Sequence, residues 1–174
     1  WDDVVAKLKQ VPTYQLAFSE LYPQQGLTKE TVTNAIAAFE QSLITPNSRF
    51  DQYLRGKDDS LNANEKAGYA LFKDNCASCH AGPALGGLSY EKMGVKRDYF
   101  DLRGGSITEV DLGRYNVTQD ENDKHVFKVP VLRNIELTFP YFHDGSVMQL
   151  ADAVRIMGKV QNNKDFTTEE VDSL

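Results

Sequence analysis

NCASCHAGPALGG occupies residues 75–87 and holds both cysteines of the chain beside one of its three histidines. How this stretch is read decides the fold. Cys76-Ala77-Ser78-Cys79-His80 has C-x-x-C-H spacing. Three chemistries compete for it: a redox dithiol or disulfide, a metal site, and covalent attachment of a haem. A redox dithiol of this spacing is expected inside a strand–helix–strand pattern, which the surrounding helical sequence lacks. A structural zinc site needs four ligands at short spacings, and the other histidines, His125 and His143, lie far downstream and far apart. Haem attachment fits best. Two thiols can add to the two vinyl groups of a porphyrin while the adjacent imidazole reaches the iron.

The segment before the motif, LNANEKAGYALFKDN, reads as a helix. Asn62 and Glu65 have capping-box spacing, and the helical pattern runs to about Lys73. Gly68 sits inside it, where glycine is unfavourable by about 1 kcal/mol against alanine. A glycine so placed points to close approach by another group. Gly68, Leu71 and Phe72 precede Cys76 at a spacing found in c-type cytochromes.

The chain has 174 residues, 41% of them hydrophobic, which suits one domain or one and a small extension. No apolar run is long enough to span a membrane, and no leader is visible at the N-terminus. A net charge of −6 argues against a nucleic-acid partner and is compatible with steering toward a basic protein. The sequence opens in helical pattern at WDDVVAKLKQ. It closes shortly after Thr167 and Glu170, another capping-box pair, so it reads as continuing at both ends.

Upstream of the motif the pattern is helical. Val4, Val5 and Leu8 share a face. Pro12 suits the first turn of a helix reaching about Leu21, and Pro23 stops it. Thr28 caps a third helix with an apolar stripe of Val32, Ile36, Phe39 and Leu43. TPNS (45–48) breaks it, and a short helix covers Phe50 to Leu54. Residues 82–125 read as loop with short extended pieces, and 126–145 have no sustained period. SVMQLADAVRIMG predicts a helix capped by Ser146 and ended by Gly158. The fold class is mostly α, a cytochrome c-like haem domain with long ordered loops.

An electron-transfer haem takes a second axial ligand. The candidates are Met93, Met148, Met157, His125 and His143. Val147, Leu150, Val154 and Met157 form one stripe, so Met157 is expected on the buried face. Met148 lies off the stripe, Met93 sits in a charged loop, and His125 is expected to be exposed. The residues favour Met157, with Met93 as the alternative. Plain core packing competes for any buried methionine.

The stretches AFEQSLITPNSRFDQYL (38–54), NCASCHAGPALGG (75–87), FKVPVLRNIELTFPYFHDGSV (127–147) and AVRIMG (153–158) together resemble the C-terminal part of the bacterial dihaem cytochrome c peroxidases. The resemblance covers most of the chain. It implies two haem c groups, one in this chain and a second in a missing N-terminal haem domain. Residues 1–55 then read as a helical segment continuing from that domain, and 56–174 as the C-terminal cytochrome c-like domain. By resemblance Cys76 and Cys79 carry the thioethers, His80 is the proximal ligand and Met157 the distal one. A related methylamine-utilisation enzyme carries tyrosine at this last position, so Met157 favours the peroxidase branch. The resemblance also implies a calcium ion held in part by the backbone carbonyls of Thr138 and Pro140. The residues alone read there as an ordinary turn.

The same resemblance implies a periplasmic homodimer that reduces hydrogen peroxide with electrons from a small donor, a cytochrome c or a cupredoxin. The catalytic residues of the peroxide site match nothing here. Glu40 reads as helix surface, and Trp1 does not match the family's tryptophan between the haems. A free-standing monohaem cytochrome c, an electron carrier without catalysis, is the competing function. His143 is expected either to contact a haem propionate or to cap the following helical region. Arg114 and Arg133 are the cations to test for propionate pairing, with surface ion pairing as their alternative.

Overall fold

A computed structural model describes residues 1–174, which fall into two compact units, Trp1–Ser60 and Leu61–Leu174. The first unit is helical: α1 (Asp2–Leu8), α2 (Pro12–Leu21), α3 (Lys29–Ser42) and α4 (Arg49–Leu54), followed by a 3-10 turn at Asp58–Ser60. Its start signals are those the sequence carries. Pro12 opens α2, Thr28 closes a capping box with Thr31 on α3, and Ser48 closes one with Asp51 on α4. Of the stripe expected on α3 only Val32 is buried. Ile36, Phe39 and Leu43 are exposed.

The second unit begins with α5 (Ala63–Asn75), capped by the Asn62–Glu65 box, and ends with α9 (Thr168–Ser173), capped by the Thr167–Glu170 box. The two helices cross at Gly68. A Cβ there would lie 1.7 Å from the Ser173 carbonyl oxygen, so only glycine permits the crossing. Between them lie β1 (Tyr90–Lys92), α6 (Tyr99–Arg103), α7 (Tyr115–Thr118), β2 (Val126–Lys128) and α8 (Leu150–Asn162). β1 and β2 form an antiparallel ribbon with Tyr90 opposite Lys128 and Lys92 opposite Val126. The architecture is mostly α with long ordered loops, as the pattern predicts.

The core of this unit gathers Met93, Tyr99, Phe100 and Val160, with Phe127, Phe142, Ile156 and Met157 packed against it. Two expectations are corrected here. Ser146 does not cap α8, and Gly158 does not end it. Val147 pairs with Tyr141 in an isolated bridge, its carbonyl accepting the Tyr141 N–H at 2.7 Å, so the chain stays extended until Gln149. Gly158 lies inside the helix, where a Cβ would meet the Phe166 ring at 2.6 Å. Asn163, in the left-handed conformation, ends the helix instead.

Candidate functional site

The motif begins where α5 stops. Cys76 is the C-cap, and its carbonyl accepts the His80 N–H at 2.9 Å and the Cys79 N–H at 3.2 Å. This tight turn brings both thiols and the imidazole to one place. Both cysteines are free thiols and half-buried. Burial, followed by the neighbouring Cys79, pushes the Cys76 thiol up, which keeps it protonated at neutral pH.

His80 is held by its ring. Nδ1 lies 3.2 Å from the Leu85 carbonyl oxygen. A carbonyl only accepts, so Nδ1 carries the proton and Nε2 of the neutral ring keeps its lone pair. Burial pushes the imidazole pKa down, opposed by the Leu85 and Pro130 carbonyls, and so favours that neutral ring. Two free thiols beside an imidazole with an unprotonated Nε2 are the groups a haem c takes, the thiols for its vinyl groups and the ring nitrogen for its iron. The surroundings fit as well: Leu88 and Val131, flanking the motif loop, are 72% and 47% exposed, apolar surface that a porphyrin could cover. Cys76, Cys79, His80 and Met157 would hold the group. Neither the redox dithiol nor the zinc alternative gains a further ligand, since His125 and His143 are engaged elsewhere.

Met157 lies on α8, half-buried against the core. The last turn of that helix reaches the motif: Asn162 Nδ2 donates to the Asn75 carbonyl at 2.8 Å. Met93 departs from its charged-loop reading and is buried in the core, 8% exposed. The segment that carries it is tied to α8, with Lys96 N–H donating to Val160 at 2.8 Å and Gln161 Nε2 to Lys92 at 3.0 Å. Met148 is 56% exposed. Thr138 and Pro140 flank a cis Phe139–Pro140 bond in an exposed loop, and no backbone N–H donates to either carbonyl.

His143 belongs to a second centre built on Asp111. The Asp111 side chain is fully buried and accepts from Arg103 Nη1 at 2.7 Å, Arg103 Nη2 at 3.2 Å, His143 Nε2 at 2.8 Å, and the Thr108 N–H and hydroxyl at 2.7 and 3.0 Å. Arg103 Nη1 also reaches Asp144 at 2.8 Å, and the buried Tyr99 hydroxyl lies between Asp144 and Ser146. Hydrogen bonds from Arg103, then from His143 and Thr108, hold the Asp111 carboxyl far below its usual range against the effect of burial. Burial pushes the Asp144 carboxyl up, but Arg103, Ser146 and His143 outweigh it and hold it low. Asp111, His143 and Asp144 stand close enough to share a cation, and the Arg103 guanidinium is already that cation.

His125 is not exposed, contrary to expectation. It is half-buried, its Nδ1 donates to the Asp111 carbonyl at 2.7 Å, and its ring lies 4.4 Å from that of Phe100. The loop that looked polar in sequence wraps this buried aspartate. Arg114 pairs with Asp123 at 3.1 Å on the surface, and Arg133 Nε donates to the Pro83 carbonyl at 2.6 Å. Glu40 is exposed on α3. The sequence reading missed Arg103, Asp111 and Tyr99. One signal was present: Thr108 and Asp111 have capping-box spacing, and that box forms.

A family model described as di-haem cytochrome c peroxidase matches residues 1–59. The cytochrome c peroxidase Ccp of Escherichia coli (strain K12) is 50% identical over 175 residues, which cover 100% of this chain and 37% of the relative. The cytochrome c551 peroxidase of Nitrosomonas europaea is 45% identical over 174 residues, 99% of this chain and 49% of the relative. Among solved structures, a MauG-like protein associated with microbial copper homeostasis superposes with a TM-score of 0.70 at 25% identity, covering 99% of this chain and 59% of that one. The chain thus spans half or less of these two curated relatives, and over its whole length it is similar to bacterial cytochrome c peroxidases.

Proposed function

We propose that this chain is the electron-accepting haem c domain of a cytochrome c peroxidase. Cys76 and Cys79 form the thioethers, His80 Nε2 is the proximal ligand and Met157 the distal one. The observation that carries the reading is the His80 ring, whose Nδ1 is committed to Leu85 and whose Nε2 lone pair is left for a metal, one turn from two free thiols. Bound there, the haem supplies a one-electron couple whose potential follows from its axial ligands and burial. The chain's own part is to fix the imidazole tautomer and seat the ring against Leu85.

The full-length protein, in this reading, reduces hydrogen peroxide to water with electrons from a small redox protein. The second haem and the peroxide-binding residues lie outside this chain. Thioether attachment, which implies assembly outside the bacterial cytoplasm, supports a periplasmic location. A homodimer rests on the resemblance alone. Calcium is assigned to the Thr138 and Pro140 carbonyls. Two carbonyls free of backbone partners on an exposed loop are oxygen donors that suit a hard cation.

The test begins with the chain produced in a host that matures c-type cytochromes. The intact mass should rise by one haem, and a chain that leaves the host without it overturns the reading. In the loaded protein Met157→Leu should remove the far-red sulfur-to-iron charge-transfer band, whereas Met93→Leu should keep it and lower stability by under about 1.5 kcal/mol. The reverse pattern would transfer the distal role to Met93. Peroxide turnover by this chain alone should stay near background.

A further inference from the structure

The antiparallel pairing of β1 and β2 does not stop at Tyr90 and Lys128. Val129 N–H donates to the Ser89 carbonyl at 2.9 Å, and Gly87 N–H donates to the Val129 carbonyl at 2.8 Å. Beyond them Leu132 N–H reaches the Ala84 carbonyl at 3.3 Å, and Arg133 Nε reaches the Pro83 carbonyl at 2.6 Å. An irregular ladder therefore runs from the ribbon to the loop that follows the motif. Pro130 has no N–H to give it, and its last rung is a side chain. Gly86 is the point of closest approach: a Cβ there would lie 2.0 Å from the Pro130 carbonyl oxygen. The Leu85 carbonyl that holds His80 Nδ1 thus sits on the strand of the ladder that Gly86 presses against Pro130.

We propose that the ladder positions the proximal histidine, with Arg133 as the positioning residue that closes it. The inference rests on His80 being an iron ligand. By gripping the Pro83 carbonyl, Arg133 holds the 81–87 loop against 129–133 and keeps the Leu85 carbonyl on His80 Nδ1. A hydrogen bond donated from that nitrogen makes the ring a more basic ligand and stabilises oxidised iron. Loss of the rung loosens the Leu85 carbonyl and moves the reduction potential upward. Loss of a guanidinium that acted only by its charge moves it downward, because a nearby positive charge disfavours the oxidised state. The two roles therefore have opposite signs.

The experiment is a redox titration of the haem-loaded chain as wild type, Arg133→Leu, Arg133→Lys and Gly86→Ala, with intact mass taken on each. Arg133→Leu should shift the oxidised-to-reduced ratio at fixed potential toward reduced by up to about tenfold, the low end of the effects of outer-shell partners on metal-bound histidines. Arg133→Lys, which can still donate to Pro83, should return most of the shift. Gly86→Ala, which changes no charge, should shift the ratio in the same direction as Arg133→Leu by prising the ladder from its other side. The His80 ring N–H should exchange with solvent faster in both shifted variants. A downward shift in Arg133→Leu, or no shift in either it or Gly86→Ala, overturns the inference while leaving the haem assignment intact. A wild-type chain without covalent haem overturns the assignment, and the inference falls with it. Should Arg133→Leu fail to fold, Gly86→Ala decides the matter: a shift toward reduced supports the inference, and no shift or the opposite one overturns it.

Discussion

His80 and His143 are both half-buried in the second unit, and each has one ring nitrogen hydrogen-bonded. Their partners differ in kind. His80 gives its Nδ1 proton to a neutral backbone carbonyl. His143 gives its Nε2 proton to a fully buried carboxylate that is also gripped by an arginine. The first arrangement fixes a tautomer and leaves a lone pair for chemistry. The second satisfies a buried charge. A sequence reader sees two histidines beside aromatics or cysteines; what separates their uses is the charge of the group behind each ring.

This contrast predicts that damage to the Asp111 centre registers as lost stability, whereas damage near His80 registers as altered redox chemistry. Asp111→Ala should have the largest effect. It leaves His143 Nε2 without its partner and Arg103 with Asp144 as its one carboxylate, and breaking a buried pair in this way lowers stability by about 3–5 kcal/mol, measurable by urea unfolding. A loss under about 1 kcal/mol would break the comparison by showing that the centre is readily rearranged. Acid should act next. The Asp111 and Asp144 carboxyls titrate lower in the folded chain than in the unfolded one. As pH falls below about 4 the unfolded chain takes up protons that the folded chain refuses, so the stability these groups contribute is complete above that pH and drains below it. Asp144→Asn should make the acid limb of a stability-versus-pH curve shallower, and an unchanged limb would remove Asp144 from the centre. The smallest effect belongs to His143 itself. His143→Leu removes one of several donors to Asp111 and should lower stability by about 1–2 kcal/mol; Gln, which can still donate, should recover part of it. A larger effect on reduction potential than on stability would move His143 to the chemical side of the contrast.

The helix starts were legible because their signals are local. Thr28, Asn62 and Thr167 each close a capping box three residues on, and nothing distant is needed to form one. Gly68 was legible for a related reason: an unfavourable residue inside a helix pointed to a close contact, and Ser173 provides it. The gathering of Cys76, Cys79 and His80 was legible because its residues are adjacent in sequence and one tight turn holds them together. What stayed hidden was joined across the chain. Asp111 sits in an unremarkable acidic stretch, and its burial depends on Arg103 from one side and His143 from the other. The carbonyls around His80 leave no mark on residue type at all. α8 was placed too early because the pattern through Val147 continues the helical period, while the Tyr141–Val147 bridge that overrides it depends on tertiary pairing.

The α5–α9 crossing has a consequence for how the protein is made. Roughly a hundred residues separate Gly68 from Ser173, so their contact forms only after most of the unit has been threaded together, at a considerable entropic cost of closure. Both thiols are half-covered once that has happened. If the two thiols carry the haem proposed above, its attachment meets the most accessible peptide before the last helix seats. A variant that locks this helix down early should mature less completely, even if the finished protein is more stable.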